Sequence, residues 1–325
     1  MEKLYPLKFV PRFFYRIWGG HRLKNIFGIE SSEQSIGEAW LISNIDGYSS
    51  RVAEGPLKNH SLQDLIQSYG SELLGNHFWH QDSIKFPLLI KLIDASDDLS
   101  IQVHPNDELA NQRHNSLGKS ELWYILEAEK RAYVLNGFNE HLNSQSVEKL
   151  VTEGHLMENM NKVPCQKGDV FYVPAGRPHA IGGGLLLAEI QQASDITYRL
   201  YDFNRIDSQT TKKRELHLQE ALAALDYSSH EPKSIPYSEI KNQINTIIET
   251  PYFYVNLIPI LGEIELDYSS IDSFVILMCI EGSLDFQQDD TRCTLKTGET
   301  LLLPAKCSKA QLESSRAKVL EISIV

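Results

Sequence analysis

Cysteine is scarce. The 325 residues hold four, Cys165, Cys279, Cys293 and Cys307, and no two form a C-x-x-C pair. So thin a set excludes a disulfide-stapled scaffold, and a reducing cytoplasm is the expected home. No run of about 18 apolar residues occurs, so no membrane-spanning helix is expected. The opening stretch "MEKLYPLKFVPRFFYRIWGG" lacks an uncharged apolar segment followed by a small-residue cleavage site, and it reads as mature protein. Basic charge is also short: 31 Lys and Arg stand against 43 Asp and Glu, a net charge of -12. That balance argues against nucleic acid as a partner, because phosphate backbones are held by clustered cations. A small anionic substrate stays open, since a few local cations suffice for it.

Apolar content of 42% and charged content of 23% are ordinary globular values, so a full core can be built. The length suits one large domain or two ordinary ones. The pattern is mostly strand. "SIGEAWLIS", "FPLLIKLID", "DVFYVPAG", "LLLAEIQQA" and "ITYRLYDF" read as strands, and "ELWYILEA" with "KRAYVLNGF" reads as a hairpin. Helices are expected over 61–76, where Ser61 can cap, over "SQSVEKLVTEGHLMENM", and over "TKKRELHLQEALAALDY". "NDELANQRHN" is a short helix or a loop. Trp18, Trp40 and Trp123 are read as core. The Ser- and Pro-rich stretch 228–240 is the best linker, and beyond it only short strands follow. Many short strands with Gly and Pro turns mean an antiparallel barrel or sandwich.

A repeat lies in those strands. "KGDVFYVPAGRPHAIG" (167–182) aligns with "TGETLLLPAKCSKAQL" (297–312), matching Gly168 to Gly298, Asp169 to Glu299, and Pro174-Ala175 to Pro304-Ala305. His179 is answered by Lys309. If His179 binds a metal, the second copy has lost it.

The stretch "SIQVHPND" (100–107) follows the apolar run. Gln102 and His104 lie two apart, hence on one face of a strand, as a pair of ligands aimed at one point or as an ordinary strand end reaching water. "HFWH", with His77 and His80, offers a second His pair, but no third ligand is evident and a packed loop is the reading kept.

"GDVFYVPAGRPH" fits the second cupin motif, G-D-x4-P-x-G-x2-H. Together with "IQVHPND", "GKSELWYIL", "IWGG", "IGEAWLIS" and "SDITYR", it resembles the type I mannose-6-phosphate isomerases over nearly the whole chain, in their shorter bacterial form. The resemblance implies a mainly β fold of two cupin-type barrels (jelly rolls) with a few added helices. The N-terminal metal-binding domain would span 1–230, and a degenerate C-terminal barrel without metal would span 231–325. It implies a Zn²⁺ site built from Gln102, His104, Glu121 and His179. Two imidazoles, a carboxylate and an amide oxygen suit that ion. It also implies catalytic groups at Lys119, Asp195 and Arg199, with Glu189 as a further acid. Ile196 stands where the family commonly has Asn. The implied reaction interconverts mannose 6-phosphate and fructose 6-phosphate by proton transfer through a cis-enediol. Lys119 and Asp195 both remain candidates for the base, and Arg199 for enediolate stabilisation or proton shuttling. The expected partner is a small sugar phosphate. The alternatives are a cupin isomerase for another sugar phosphate, a non-catalytic sugar-phosphate-binding metal cupin, and a metal dioxygenase, for which Lys119 and "SDITYR" have no obvious use.

Overall fold

The structure, a computed structural model, describes residues 2–30, 35–79 and 85–324. Strand dominates, as expected, in two compact units that are each discontinuous in sequence. One unit gathers Phe13–Trp40 and Leu88–Ile235; the other gathers Met1–Arg12, Leu41–Pro87 and Pro236–Val325. The division thus differs from an uninterrupted 1–230 block, because two early segments cluster with the C-terminal strands. The later boundary falls inside the linker stretch 228–240.

The unit containing residues 88–235 is built on two sheets. A six-stranded sheet runs in the order Arg12–Phe14, Glu38–Ile42, Leu88–Ala95, Leu185–Gln192, Glu121–Ala128, Val170–Val173. A five-stranded sheet runs Tyr198–Tyr201, Ile101–Val103, His179–Ile181, Tyr133–Phe138, Met160–Pro164. The side chains between the sheets follow the two-residue period. Ile93, Ile125, Leu187 and Phe171 of the first sheet pack with Val134 and Ile181 of the second in one apolar cluster. The next inward positions along the same strands turn polar beyond Trp123, with Lys91, Glu189, Asn136 and His179, all buried. One end of the space between the sheets is therefore dry core, and the other holds buried charge.

The outer face of the five-stranded sheet is covered by helices Ser144–Glu153 and Leu218–Ala224, through Ile101, Val103, Leu135, Ala180 and Leu200. That burial explains "IQV": the two aliphatic residues face the helices, so Gln102 must face the interior.

In the other unit, Asn245–Glu249, Tyr254–Asp267, Lys309–Ser323, Val275–Gln288 and Thr291–Lys296 pair in that order, with Thr300–Leu303 added on Val275–Gln288. Its core includes Val275, Leu277, Leu284, Phe286, Leu295, Leu301, Leu312 and Val319. The internal repeat is real at the level of single hydrogen bonds. Gly168 and Gly298 have φ of 90° and 91°, which only glycine adopts freely. The Asp169 carboxylate accepts from Gln166 N at 2.8 Å, and the Glu299 carboxylate from Lys296 N at 2.9 Å. The registers also correspond: Val173 lies opposite Glu121, and Leu303 opposite Val275. The second copy therefore carries Val275 where the first has Glu121, and an exposed Lys309, paired with Glu265, where the first has buried His179.

Four local expectations are corrected. "ELWYILEA" and "KRAYVLNGF" do not pair as a hairpin; their strands belong to the two different sheets. The helix over 61–76 is broken at Gly70 (φ 50°, ψ −120°) into Leu62–Tyr69 and Ser71–Leu74, with the Ser61–Asp64 capping box intact. The helix after Ser144 stops at Gly154 in the left-handed region, and Met160–Pro164 is strand. The last helix is only Leu218–Ala224, because residues upstream are committed elsewhere. Arg214 binds Asp202 at 2.5 and 2.7 Å, and His217 N donates to Arg199 O at 2.8 Å. Trp18, Trp40 and Trp123 are buried as expected. His80 lies outside the described residues, so the His77–His80 pairing does too. Among the described residues, no helix is long and apolar enough to cross a membrane.

Phe286 is 1% exposed at the centre of the second unit's core. Phe286→Ala is expected to lower stability by about 3–5 kcal/mol, the usual cost of emptying a buried aromatic site, read from denaturant unfolding followed by circular dichroism.

Candidate metal centre

Strand pairing places the site residues in rows. Across the five-stranded sheet, Arg199 lies opposite Gln102, Gln102 opposite His179, and His179 opposite Asn136. Across the other sheet, Lys91 lies opposite Glu189 and Glu189 opposite Trp123, while Glu121 lies opposite Gln191. His104 follows Gln102 by two residues and shares its face.

These rows bring together His104, Glu121 and His179, whose ligand atoms lie within 4.8 Å of one another and which are all buried. His104 Nε2 is 3.2 Å from Glu121 Oε1, and His179 Nε2 is 3.8 Å from Glu121 Oε2. Each ring is turned by a backbone carbonyl: Nδ1 of His104 donates to Ile196 O at 2.8 Å, and Nδ1 of His179 to Arg177 O at 2.8 Å. With the proton held on Nδ1, each Nε2 presents a lone pair to the same point. Burial, reinforced by the Lys119 charge, holds His104 down to about 3. Burial likewise lowers His179. Both rings are neutral at physiological pH, the form that ligates metals. Burial opposes ionisation of Glu121, but the Lys119 charge outweighs it and holds the carboxyl well below its usual range.

Gln102 reaches the cluster edge, with Nε2 3.3 Å from His179 Nε2 and Oε1 accepting from Ser100 Oγ at 3.2 Å. For its oxygen to serve as ligand, the amide must be turned over, and the two amide orientations are assigned from such contacts alone. Lys119 Nζ lies 3.2 Å from His104 Nε2 and 2.5 Å from Glu121 Oε1. Yet Glu121 Oε1 receives no well-directed hydrogen bond and is fully buried. An ionised, buried carboxylate whose two oxygens each face an imidazole lone pair, one of them without a directed donor among the described residues, is a place that asks for a cation. The residues fit a divalent metal.

Arg199 is half-buried; its guanidinium has no partner at Nε, and burial with the neighbouring Arg214 charge lowers its affinity for the proton. Asp195 stands apart from the buried group: it is exposed and makes no hydrogen bond or ion pair among the described residues.

Lys91, Arg16 and Glu38, missed from the sequence, complete the charge arrangement around Glu189, the further acid that the resemblance implied. Lys91 binds Glu189 at 3.0 Å, both buried. Trp123 Nε1 donates to Glu121 Oε2 at 3.2 Å and to Glu189 Oε2 at 3.1 Å. Farther out, Arg16 binds both oxygens of Glu38 at 2.9 and 3.0 Å, and Trp40 Nε1 donates to Glu38 at 2.7 Å. A lone lysine inside the apolar run "FPLLIKLID" was the available signal for Lys91.

Two jelly-roll units and a buried His–His–carboxylate group in one of them define a metal cupin. Residues 7–134 match the family described as phosphomannose isomerase type I, catalytic domain, and residues 243–322 the mannose-6-phosphate isomerase cupin domain. Mannose-6-phosphate isomerase ManA of Bacillus subtilis is 36% identical over 95% of this chain and 96% of its own. The mannose-6-phosphate isomerase of Streptococcus mutans is 33% identical over 92% of each. The crystal structure of the Bacillus subtilis mannose 6-phosphate isomerase superposes with a TM-score of 0.88 at 34% identity, over 98% of this chain and 99% of that one. A zinc-bound mannose 6-phosphate isomerase shares the fold, with a TM-score of 0.77 at 19% identity over 98% of each chain. The chain belongs to the type I phosphomannose isomerase family.

Lys91 and Arg16 outweigh burial at Glu38 and hold its carboxyl at about 2, against an ordinary 4.5. A depressed carboxyl stabilises the fold above its unfolded value and loses that contribution as pH falls through the folded one. The shift corresponds to about 3 kcal/mol. Glu38→Gln should therefore be less stable than the parent at neutral pH, with the gap closing between pH 4.5 and 2, measured by urea unfolding across that range.

Proposed function

We infer that the protein is a zinc-dependent aldose–ketose isomerase interconverting mannose 6-phosphate and fructose 6-phosphate. The observation that carries this reading is the buried group His104, Glu121 and His179, with both Nδ1 protons held by carbonyls, in a chain of this family. Two neutral imidazoles, a carboxylate and the Gln102 amide oxygen are a donor set suited to Zn²⁺. When bound, zinc supplies polarisation of the substrate's carbonyl and hydroxyl oxygens.

The chain's own groups do the rest. In the aldose-to-ketose direction a base takes the proton from C2, the cis-enediol forms as the hydroxyl proton passes between O2 and O1, and a proton is returned to C1. Lys119, acting as the uncharged amine, is the favoured carrier: its Nζ lies inside the buried group, whereas Asp195 is exposed. Arg199, half-buried and opposite Gln102, offers a guanidinium to the negative charge that develops on the enediolate. Trp123, Glu189 and Lys91 fix Glu121 from behind. The cytoplasm suits a sugar phosphate as substrate, and it suits four free thiols.

A coupled assay with mannose 6-phosphate, before and after chelation and with zinc restored, tests the reading. Turnover should vanish with chelator and return with zinc. A fully zinc-loaded protein that leaves mannose 6-phosphate untouched would overturn the substrate assignment. Glu121→Gln should weaken zinc binding and turnover by more than the roughly 10–100-fold cost of losing an outer-shell partner, as read by chelator competition and by kcat.

A further inference from the structure

Lys119 sits on a short connection ahead of the strand Glu121–Ala128, and loops hold side chains less firmly than strands do. Here three consecutive backbone amides are each tied to a different anchor. Gly118 N donates to Asp107 Oδ1 at 2.8 Å, Lys119 N to Pro105 O at 3.1 Å, and Ser120 N to Gln192 Oε1 at 2.9 Å. The anchors are joined to one another, because Gln192 Nε2 donates to the same Asp107 Oδ1 at 3.0 Å. Gln192 N also donates to Ser120 O at 3.2 Å. The approach is so close that a Cβ on Gly118 would lie 2.6 Å from Asp107 N and 2.7 Å from the Asn106 carbonyl carbon.

The neighbourhood leaves little freedom to these anchors. Gln192 is 4% exposed, so its amide has no water to turn to. Asn106 caps the helix Asp107–His114 by accepting from Leu109 N at 2.9 Å, which fixes Asp107 on the first turn. At the far end of that helix His114 Nε2 meets Tyr198 OH at 2.7 Å. Thus each residue of "HPND" acts on the same site: His104 with its ring, Pro105 with its carbonyl, Asn106 as cap, Asp107 as latch.

We propose that Gln192 and Asp107 are positioning residues for the isomerase reaction: together they hold the Gly118–Ser120 connection so that Lys119 meets the substrate carbons and Glu121 the metal. The proposal rests on the isomerase reading for its catalytic part, and on Glu121 alone for its metal part. Gln192→Glu tests it by polarity. The new carboxylate still accepts from Ser120 N but faces Asp107 Oδ1 with an acceptor where a donor stood. Asp107→Ala removes the acceptor shared by Gly118 and Gln192. Asp107→Asn keeps a side-chain oxygen able to accept from both.

The readouts are kcat and KM for mannose 6-phosphate on zinc-loaded enzyme, and zinc affinity by chelator competition. Gln192→Glu and Asp107→Ala should each lower kcat by about 10–100-fold with KM changed far less, and weaken zinc by a similar factor. Asp107→Asn should regain at least about tenfold of the Asp107→Ala loss, a rescue that generic damage to packing would not give. Gln192→Glu and Asp107→Ala within about twofold of the parent in both readouts would overturn the proposal, as would Asp107→Asn no better than Asp107→Ala. If Gln192→Glu does not fold, Asp107→Ala carries the same comparison. If the zinc-loaded parent does not isomerise mannose 6-phosphate, the functional reading fails. The positioning role is then decided by zinc affinity alone.

Discussion

Two hydrogen bonds fix the character of the whole site: His104 Nδ1 to the Ile196 carbonyl and His179 Nδ1 to the Arg177 carbonyl. A buried imidazole can present either nitrogen, and a protonated one presents no lone pair at all. Here burial keeps both rings neutral, and the carbonyls choose the tautomer. Both Nε2 atoms then converge on Glu121 without a proton between them. The segments supplying those carbonyls have reasons to be where they are. Ile196 belongs to the stretch leading into the strand Tyr198–Tyr201, which pairs with the strand of Gln102. Arg177 belongs to the turn that the cupin motif makes before His179.

Burying Glu121 is costly unless its charge is answered. Lys119 answers from one side and the Trp123 indole from another. Glu189, pushed upward by burial and by Glu121, is held in turn by Lys91. The apolar half of the same interior, from Ile93 to Ile181, keeps water out of the far end and lets these charges act over short distances. The second unit shows the alternative. It keeps the turn glycine, the acidic turn residue and the strand register. Val275 and Lys309 stand where the carboxylate and the imidazole would be needed, and its interior is apolar throughout the named core.

Much of this was legible in the sequence, for reasons that differ by residue. The shared face of Gln102 and His104 was readable because strand periodicity is rigid, whereas the ligand set with Glu121 and His179 came from the resemblance. Lys119 came only from the resemblance. The partnership of Lys91 with Glu189 was not readable, since it depends on the register of two strands 98 positions apart. The amide latch of Gln192 was hidden for the same reason. Helix lengths were overstated where propensity met a tertiary claim: Gly70 and Gly154 turned the chain, and the Arg214–Asp202 pair drew residues before Leu218 away from a helix that their composition favoured. Asp195 shows the opposite limit, because a motif position did not by itself bring a side chain into the buried group.

The central claim is that the gap among His104, Glu121 and His179 is a metal site, with Gln102 at its edge. Diffraction data collected above and below the zinc absorption edge, on crystals grown with zinc, test it most directly. The account predicts one strong anomalous peak within bonding distance of both Nε2 atoms and of a Glu121 oxygen, with the Gln102 amide turned to offer its oxygen. A zinc-replete crystal with no peak there, and Lys119 still closing on Glu121, would contradict it.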